Sequence, residues 1–138
     1  MELIIPDASV ILKWVLRNDE ADREKALLIL SGWLEGKHEI VLPSLWFFEV
    51  GNIISKREPN LAMDIMNRLV GCEFTEIKPT ESLLNLILEL VIEENVTFYD
   101  AAYHAIAIQE KGRFITADKD YFERVKDRGC IQLLDSLT

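Results

Sequence analysis

The chain has 138 residues, enough for one domain with a substantial core, and its 49% apolar and 28% charged residues are typical of a globular protein. The net charge of −9 argues against nonspecific binding to duplex nucleic acid, which depends on lysine and arginine neutralising phosphates. No apolar run is long enough for a membrane span, and the first residues predict no secretory signal, so we expect a cytoplasmic protein that does not bind membranes.

Short apolar runs alternate with longer segments of helical spacing along the chain. The alternation predicts an α/β fold in which a mainly parallel sheet is flanked by helices on both faces, as a single domain over residues 1–138. In chain order we predict strand 3–6, helix 8–16, helix 22–35, strand 39–42, helix 43–56, helix 61–69, strand 73–77, helix 82–93, a helix capped by Thr97 and ending near 111, strand 113–116, helix 118–127 and strand 130–133.

Acidic residues occupy positions where the chain otherwise buries apolar side chains. Asp7 directly follows the apolar run 3–5, and Asp118 follows the strand 113–116. Because ligands of open parallel sheets bind beyond the carboxyl ends of the strands, we expect both side chains at one edge of the sheet. A buried carboxylate needs a partner, and no lysine or arginine is adjacent to Asp7, Glu49 or Asp100.

Each acid also has a structural interpretation, and these differ in strength. Asp7 and Asp118 could cap the helices that follow them, and Asp100 completes a capping box with Thr97. Glu49 is harder to explain in this way because it lies in an apolar helical stripe. Carboxylates that converged about 4 Å apart would repel by about 4 kcal/mol per pair at an effective dielectric of about 20. They would therefore take up protons or bind a hard cation such as Mg²⁺ or Mn²⁺.

Four segments together carry a resemblance to a known family. They are PDASV at 6–10, PSLWFFEVGN at 43–52, YDAAYHAIA at 99–107 and TADKD at 116–120. In this order they resemble the four acidic motifs of the PIN domain family. The length of the chain is similar to that of the VapC-type toxins of prokaryotic toxin–antitoxin pairs.

The resemblance implies a metal-dependent endoribonuclease that hydrolyses RNA with water activated by Mg²⁺ or Mn²⁺. Such proteins are usually homodimers and are neutralised by a small antitoxin whose tail covers the active site. The resemblance implies four catalytic, metal-binding acids and three side chains that orient ligands or water. The acids are Asp7, Glu49, Asp100 and Asp118, and the orienting side chains are Ser9, Thr116 and Asp120. Asp118 is preferred to Asp120 as the fourth acid because it comes first after the strand.

Two alternatives to an enzyme remain: a non-catalytic PIN-fold interaction module, and a receiver-like phosphoacceptor domain. The intact acidic set argues against the first, and the absence of an aspartate directly after strand 73–77 argues against the second. Six basic residues between Lys111 and Arg128 could form a phosphate-steering surface or a solvated helix face of mixed charge. Lys13 and Arg17 have the same two interpretations, and His104 is either a general base or a packed residue.

Overall fold

In the computed structural model, which describes residues 1–138, five strands form one parallel sheet surrounded by seven α-helices. In chain order the elements are β1 Leu3–Pro6, α1 Ala8–Val15, α2 Arg23–Leu34, β2 Glu39–Pro43, α3 Trp46–Arg57, α4 Ala62–Gly71, β3 Thr75–Ile77, α5 Glu81–Glu94, α6 Phe98–Glu110, β4 Arg113–Thr116, α7 Lys119–Val125 and β5 Ile131–Leu133. Two short 3-10 turns, Lys126–Arg128 and Leu134–Ser136, complete the chain. The predicted fold class is confirmed.

Differences from the predicted elements are confined to their ends. Helix α2 begins at Arg23 and not at 22, because Asp22 adopts a left-handed conformation with φ of 57°. Helix α3 begins only at Trp46, because Pro43 still belongs to β2 and pairs with Ile77. The last predicted helix is shorter than expected and ends at Val125, where the chain tightens into a 3-10 turn.

The strand order β3-β2-β1-β4-β5 puts the first strand at the centre of the sheet. Right-handed crossovers in this order place α1 to α4 on one face and α5 to α7 on the other. Helix α6 packs across β1, β2 and β4 and is fully buried from Ala101 to Ala107. Its four alanines, at 101, 102, 105 and 107, let the helix backbone approach the sheet closely. The first turn of α6 consequently lies at the carboxyl edge of the central strands.

Register places the ends of β1 and β4 side by side. Pro6 pairs with Ile115, and the backbone N–H of Asp7 donates to the carbonyl of Ile115 at 3.2 Å. Asp7, which follows β1, and Thr116, the last residue of β4, therefore meet at the same edge of the sheet.

The three tryptophans belong to the core and not to an exposed aromatic surface. The rings of Trp14, Trp33 and Trp46 surround that of Phe74, with centroid distances of 5.9, 4.8 and 6.3 Å.

Among the helices, none combines the length and the apolarity that crossing a membrane would require.

Gly112 lies where the chain turns from α6 into β4 against β1. A Cβ at this position would be 2.8 Å from the carbonyl oxygen of Leu3 and 2.7 Å from Cδ1 of Ile5. We expect Gly112→Ala to lower the free energy of unfolding by about 1–3 kcal/mol, because backbone must move to make room. Gly71→Ala is the matched control, since a Cβ there would meet no atom within 4 Å. Chemical denaturation measures both, and equal stability of the two variants would contradict the close approach.

Candidate functional site

Asp7 is a buried carboxylate held entirely by uncharged donors. Only 5% of the residue is exposed. Its Oδ1 accepts hydrogen bonds from the Ser9 hydroxyl at 2.5 Å and from the Val10 backbone N–H at 3.3 Å. Its Oδ2 accepts from the Thr116 hydroxyl at 2.5 Å. The bond from Val10 shows that Asp7 does cap α1, as one interpretation of the sequence had it. Capping and participation in a larger site are thus combined in one residue.

Ser9 and Thr116 tie Asp7 to the turn between β4 and α7. While each hydroxyl donates to Asp7, the Ser9 oxygen accepts from the backbone N–H of Ala117 at 3.0 Å. The Thr116 oxygen accepts from the backbone N–H of Asp118, also at 3.0 Å. The two hydroxyls therefore connect the carboxyl ends of the central strands and fix Asp118 relative to Asp7.

Glu49 reaches the same edge of the sheet from α3. It is half-buried, and its Oε1 accepts a hydrogen bond from the hydroxyl of Tyr103 at 2.7 Å. Tyr103 is fully buried on α6, three residues after Asp100. Burial and the charge of Glu49 raise the pKa of the Tyr103 phenol, so it remains a neutral donor. Sequence reasoning missed Tyr103, although its helical spacing from Asp100 was the available signal.

The remaining acids lie around a cleft between α6 and α7. Asp100, in the first turn of α6, is half-buried, whereas Asp118 and Asp120 are exposed. All three line a cavity of about 170 Å³ together with Tyr121 and Arg124. Asp118 caps α7 by accepting from the backbone N–H of Tyr121 at 3.0 Å.

The four predicted acids are coupled electrostatically. Burial raises the pKa of Asp7 to about 7, the hydroxyls of Ser9 and Thr116 lower it, and the charge of Asp100 raises it again. Burial likewise raises the pKa of Glu49, the bond from Tyr103 lowers it, and Asp100 raises it further. Burial raises the pKa of Asp100 itself, and the charge of Asp118 adds to this increase. Asp100 is the member whose charge acts on both Asp7 and Glu49.

The donor chemistry of this set fits a hard divalent cation. Carboxylate oxygens without a lysine or arginine partner are the ligands that Mg²⁺ and Mn²⁺ prefer. The side chains are not gathered into a group of three or more that could hold an ion directly. Mg²⁺ commonly binds through one or two carboxylates and keeps several waters, which suits acids spread around a cleft.

Other candidate residues have structural partners. His104 is fully buried between the Tyr121 hydroxyl, 3.0 Å from Nδ1, and the Gly129 carbonyl, 2.8 Å from Nε2. This is the packed residue that the sequence allowed, and not a general base facing the cleft. Lys13 is 7% exposed and forms an ion pair with Asp19 at 2.8 Å, so it is neither solvated nor free for phosphates.

A parallel α/β sheet with acidic residues at its carboxyl edge is the class that these observations define. The family model described as the PIN domain matches residues 4–128, and the chain belongs to the PIN domain family. A comparison with curated proteins finds no matching sequence.

Solved structures of similar fold include proteins of toxin–antitoxin systems. A toxin–antitoxin complex from Klebsiella pneumoniae is 15% identical with a TM-score of 0.66, covering 97% of this chain and 98% of that one. VapC20 from Mycobacterium tuberculosis, a sarcin–ricin loop cleaving toxin, has 15% identity, a TM-score of 0.66 and coverage of 87% and 93%. VapBC2 from Rickettsia felis, bound to a promoter DNA fragment, has 14% identity, a TM-score of 0.68 and coverage of 95% and 96%. At sequence identities of 14–15%, these structural similarities show the fold alone.

The raised pKa of Asp7 predicts how stability depends on pH when no divalent ion is present. Between its ordinary value of 3.8 and about 7, the folded protein keeps a proton that the unfolded chain releases. Stability therefore falls as pH rises through this window, by a contribution on the order of 3 kcal/mol from Asp7. Urea denaturation in chelator at pH 4.5 and 8 measures the change, and Asp7→Asn is expected to reduce it. An unaltered pH dependence in Asp7→Asn would contradict the assignment to Asp7.

Proposed function

We propose that the chain is a metal-dependent endoribonuclease and the toxin of a VapBC-type toxin–antitoxin pair. The observation that carries the proposal is the electrostatic coupling of four acids at the carboxyl edge of the sheet, in which Asp100 acts on Asp7 and Glu49 and Asp118 acts on Asp100. None of the four forms an ion pair. Membership of the PIN domain family and the toxin–antitoxin proteins among the structural neighbours support the same function.

In this function Asp7, Glu49 and Asp100 would hold Mg²⁺ or Mn²⁺, in part through the waters that such an ion keeps, and Asp118 would complete the site. When bound, such an ion supplies a Lewis acid for the phosphodiester and lowers the pKa of a coordinated water. Asp7 and Glu49 each have protein groups that fix the position of the carboxylate. The hydroxyls of Ser9 and Thr116 orient both oxygens of Asp7, and Tyr103 orients Glu49. Asp120, which also lines the cleft, would orient water or ligands.

Neither a receiver-like domain nor a non-catalytic interaction module fits the structure as well as a nuclease does. Family membership and the position of β3 argue against a receiver-like domain, since β3 is an edge strand and Lys78 follows it. A non-catalytic interaction module would have no need of acids whose pKa values are raised by burial and by one another.

A cleavage assay on mixed RNAs tests the function directly. Wild-type protein is expected to cleave RNA with Mg²⁺ or Mn²⁺ and to stop in chelator. Asp7→Asn and Glu49→Gln are expected to lose about 100-fold or more of this activity, because each removes a charged ligand. Asp64→Asn is the control, as Asp64 is an exposed acid paired with Arg68 on α4. RNA cleavage that persists in both variants, or that is unaffected by chelator, would refute the proposed metal-dependent nuclease function.

A homodimer fits an exposed apolar stripe on α5. Leu84, Leu88 and Ile92 follow one another at one-turn spacing and are 42%, 39% and 76% exposed, while the opposite face of the helix is buried in the core. Beside the stripe, between the end of β3 and the start of α6, lies a largely apolar cavity of about 480 Å³. We assign this face to a second copy of the chain, since one self-complementary helix face closes a twofold dimer.

The antitoxin, in turn, is proposed to bind at the start of α3. Phe47 and Phe48 are 43% and 73% exposed directly before Glu49, so an apolar anchor of a partner would lie beside this acid. A tail carrying lysine or arginine would neutralise the acids and block the cation. Both partners are consistent with the cytoplasmic location expected from the sequence.

Leu88→Glu tests the dimer face. A charge in the middle of the α5 stripe would have to be desolvated on association, so we expect the variant to be monomeric. Leu28→Glu is the control, because Leu28 is 56% exposed on α2. Light scattering after size-exclusion chromatography measures the mass of each. A monomeric wild type, or a Leu88→Glu variant that remains dimeric, would exclude this face.

A further inference from the structure

Arg124 is the one basic residue among those that line the cleft between α6 and α7. The cleft also contains Asp100, Asp118 and Asp120. Arg124 forms no ion pair with any of them, although Asp120 lies one turn earlier on the same helix. Its single hydrogen bond is a long one, 3.4 Å from Nη1 to the backbone carbonyl of Asn95. Most of the donors of this guanidinium are therefore free at the rim of an acidic cleft.

Four of the other five basic residues between Lys111 and Arg128 are already paired with acids. Arg113 pairs with Glu2, Lys119 with Asp135 and Lys126 with Glu123. Arg128 is held by three acids of α5, which are Glu89, Glu93 and Glu94. The phosphate-steering surface considered from the sequence is thus largely a set of internal ion pairs. Of the six residues, only Lys111 and Arg124 form no ion pair, and only Arg124 lines the cleft.

An RNA strand lying along this acidic cleft needs a positively charged side chain near its phosphates. Carboxylates repel the phosphates that flank the reacting bond, and an ion bound to the acids compensates only locally. A planar guanidinium can donate hydrogen bonds to two oxygens of one phosphate, and the guanidinium of Arg124 is not already paired with an acid.

We propose that Arg124 binds a backbone phosphate of the RNA next to the one that is cleaved. The strand then runs across the first turn of α6, with the reacting phosphate at Asp100 and its neighbour at the start of the α5–α6 loop beside Asn95. This assignment rests on the proposed nuclease function and adds a substrate-binding residue to it. Because Arg124 holds a phosphate that does not react, it acts on substrate affinity and leaves the chemical step unchanged.

Steady-state cleavage of a short single-stranded oligoribonucleotide, measured at several salt concentrations, tests the assignment. Arg124→Gln is expected to raise KM about tenfold with kcat nearly unchanged, as for the loss of one charge-assisted hydrogen bond. The slope of log kcat/KM against log salt should become shallower by about 0.7, the value for one phosphate contact on a single strand. Arg124→Lys should recover most of the slope, since it keeps the charge.

Lys126→Gln provides the matched control, because it removes the same charge nearby from a residue that is paired with Glu123 and lies outside the cleft. It is expected to change neither KM nor the salt slope. Equal effects in the two glutamine variants would show that only overall charge matters and would overturn the assignment. So would a wild-type KM and slope in Arg124→Gln. If wild-type protein cleaves no RNA with either metal, the proposed function itself fails, and this result is distinct from the other two.

Discussion

The buried carboxylate of Asp7 is the constraint on which the rest of the site depends. It lies at the carboxyl end of the central strand and has three hydrogen bonds from neutral donors, but no cation. These bonds offset only part of the cost of burial, which is why the pKa of Asp7 remains near 7. The fold tolerates this cost because Ser9 and Thr116 are themselves fixed by the β4–α7 turn. The buried Asp7 carboxylate, unfavourable in isolation, thus links β1 and α1 to β4 and to the turn before α7.

Helix α6 is the second constraint, since it positions Asp100 directly, Glu49 through the Tyr103 hydroxyl, and α7 through the His104 ring. Asp100 lies in its first turn, Tyr103 holds Glu49 of α3, and the His104 ring bonds to Tyr121 of α7. The segment between these residues is buried on all sides, so the helix cannot rotate or slide without breaking the core. Geometry at the cleft is therefore maintained by packing some distance from it.

The fold and the placement of Asp7 and Asp118 could be predicted from sequence because both follow local rules. Alternating strand and helix patterns predict a parallel sheet, and residues directly after β1 and β4 must reach its carboxyl edge. Helical spacing puts Tyr103 on the same face of α6 as Asp100, but its partner Glu49 is 54 positions away, and nothing local shows that α3 and α6 approach each other. The burial of Lys13 was missed for a similar reason, because it depends on how the loop containing Asp19 folds back. Local patterns indicate which residues face the core, whereas side-chain pairs between elements require the assembled structure.

The net charge of −9 and an RNA substrate are compatible under the proposed function, because the relevant charges are local. Without an ion, the carboxylates of Asp100, Asp118 and Asp120 line the cleft, and the potential there repels phosphate. A bound divalent cation reverses this at the place where the reacting phosphate must lie. Metal and RNA then increase each other's affinity by the same factor, since such coupling between two ligands is reciprocal. An acidic chain of this kind would have little affinity for RNA until its own acids were neutralised, and a basic antitoxin tail would compete for the same acids.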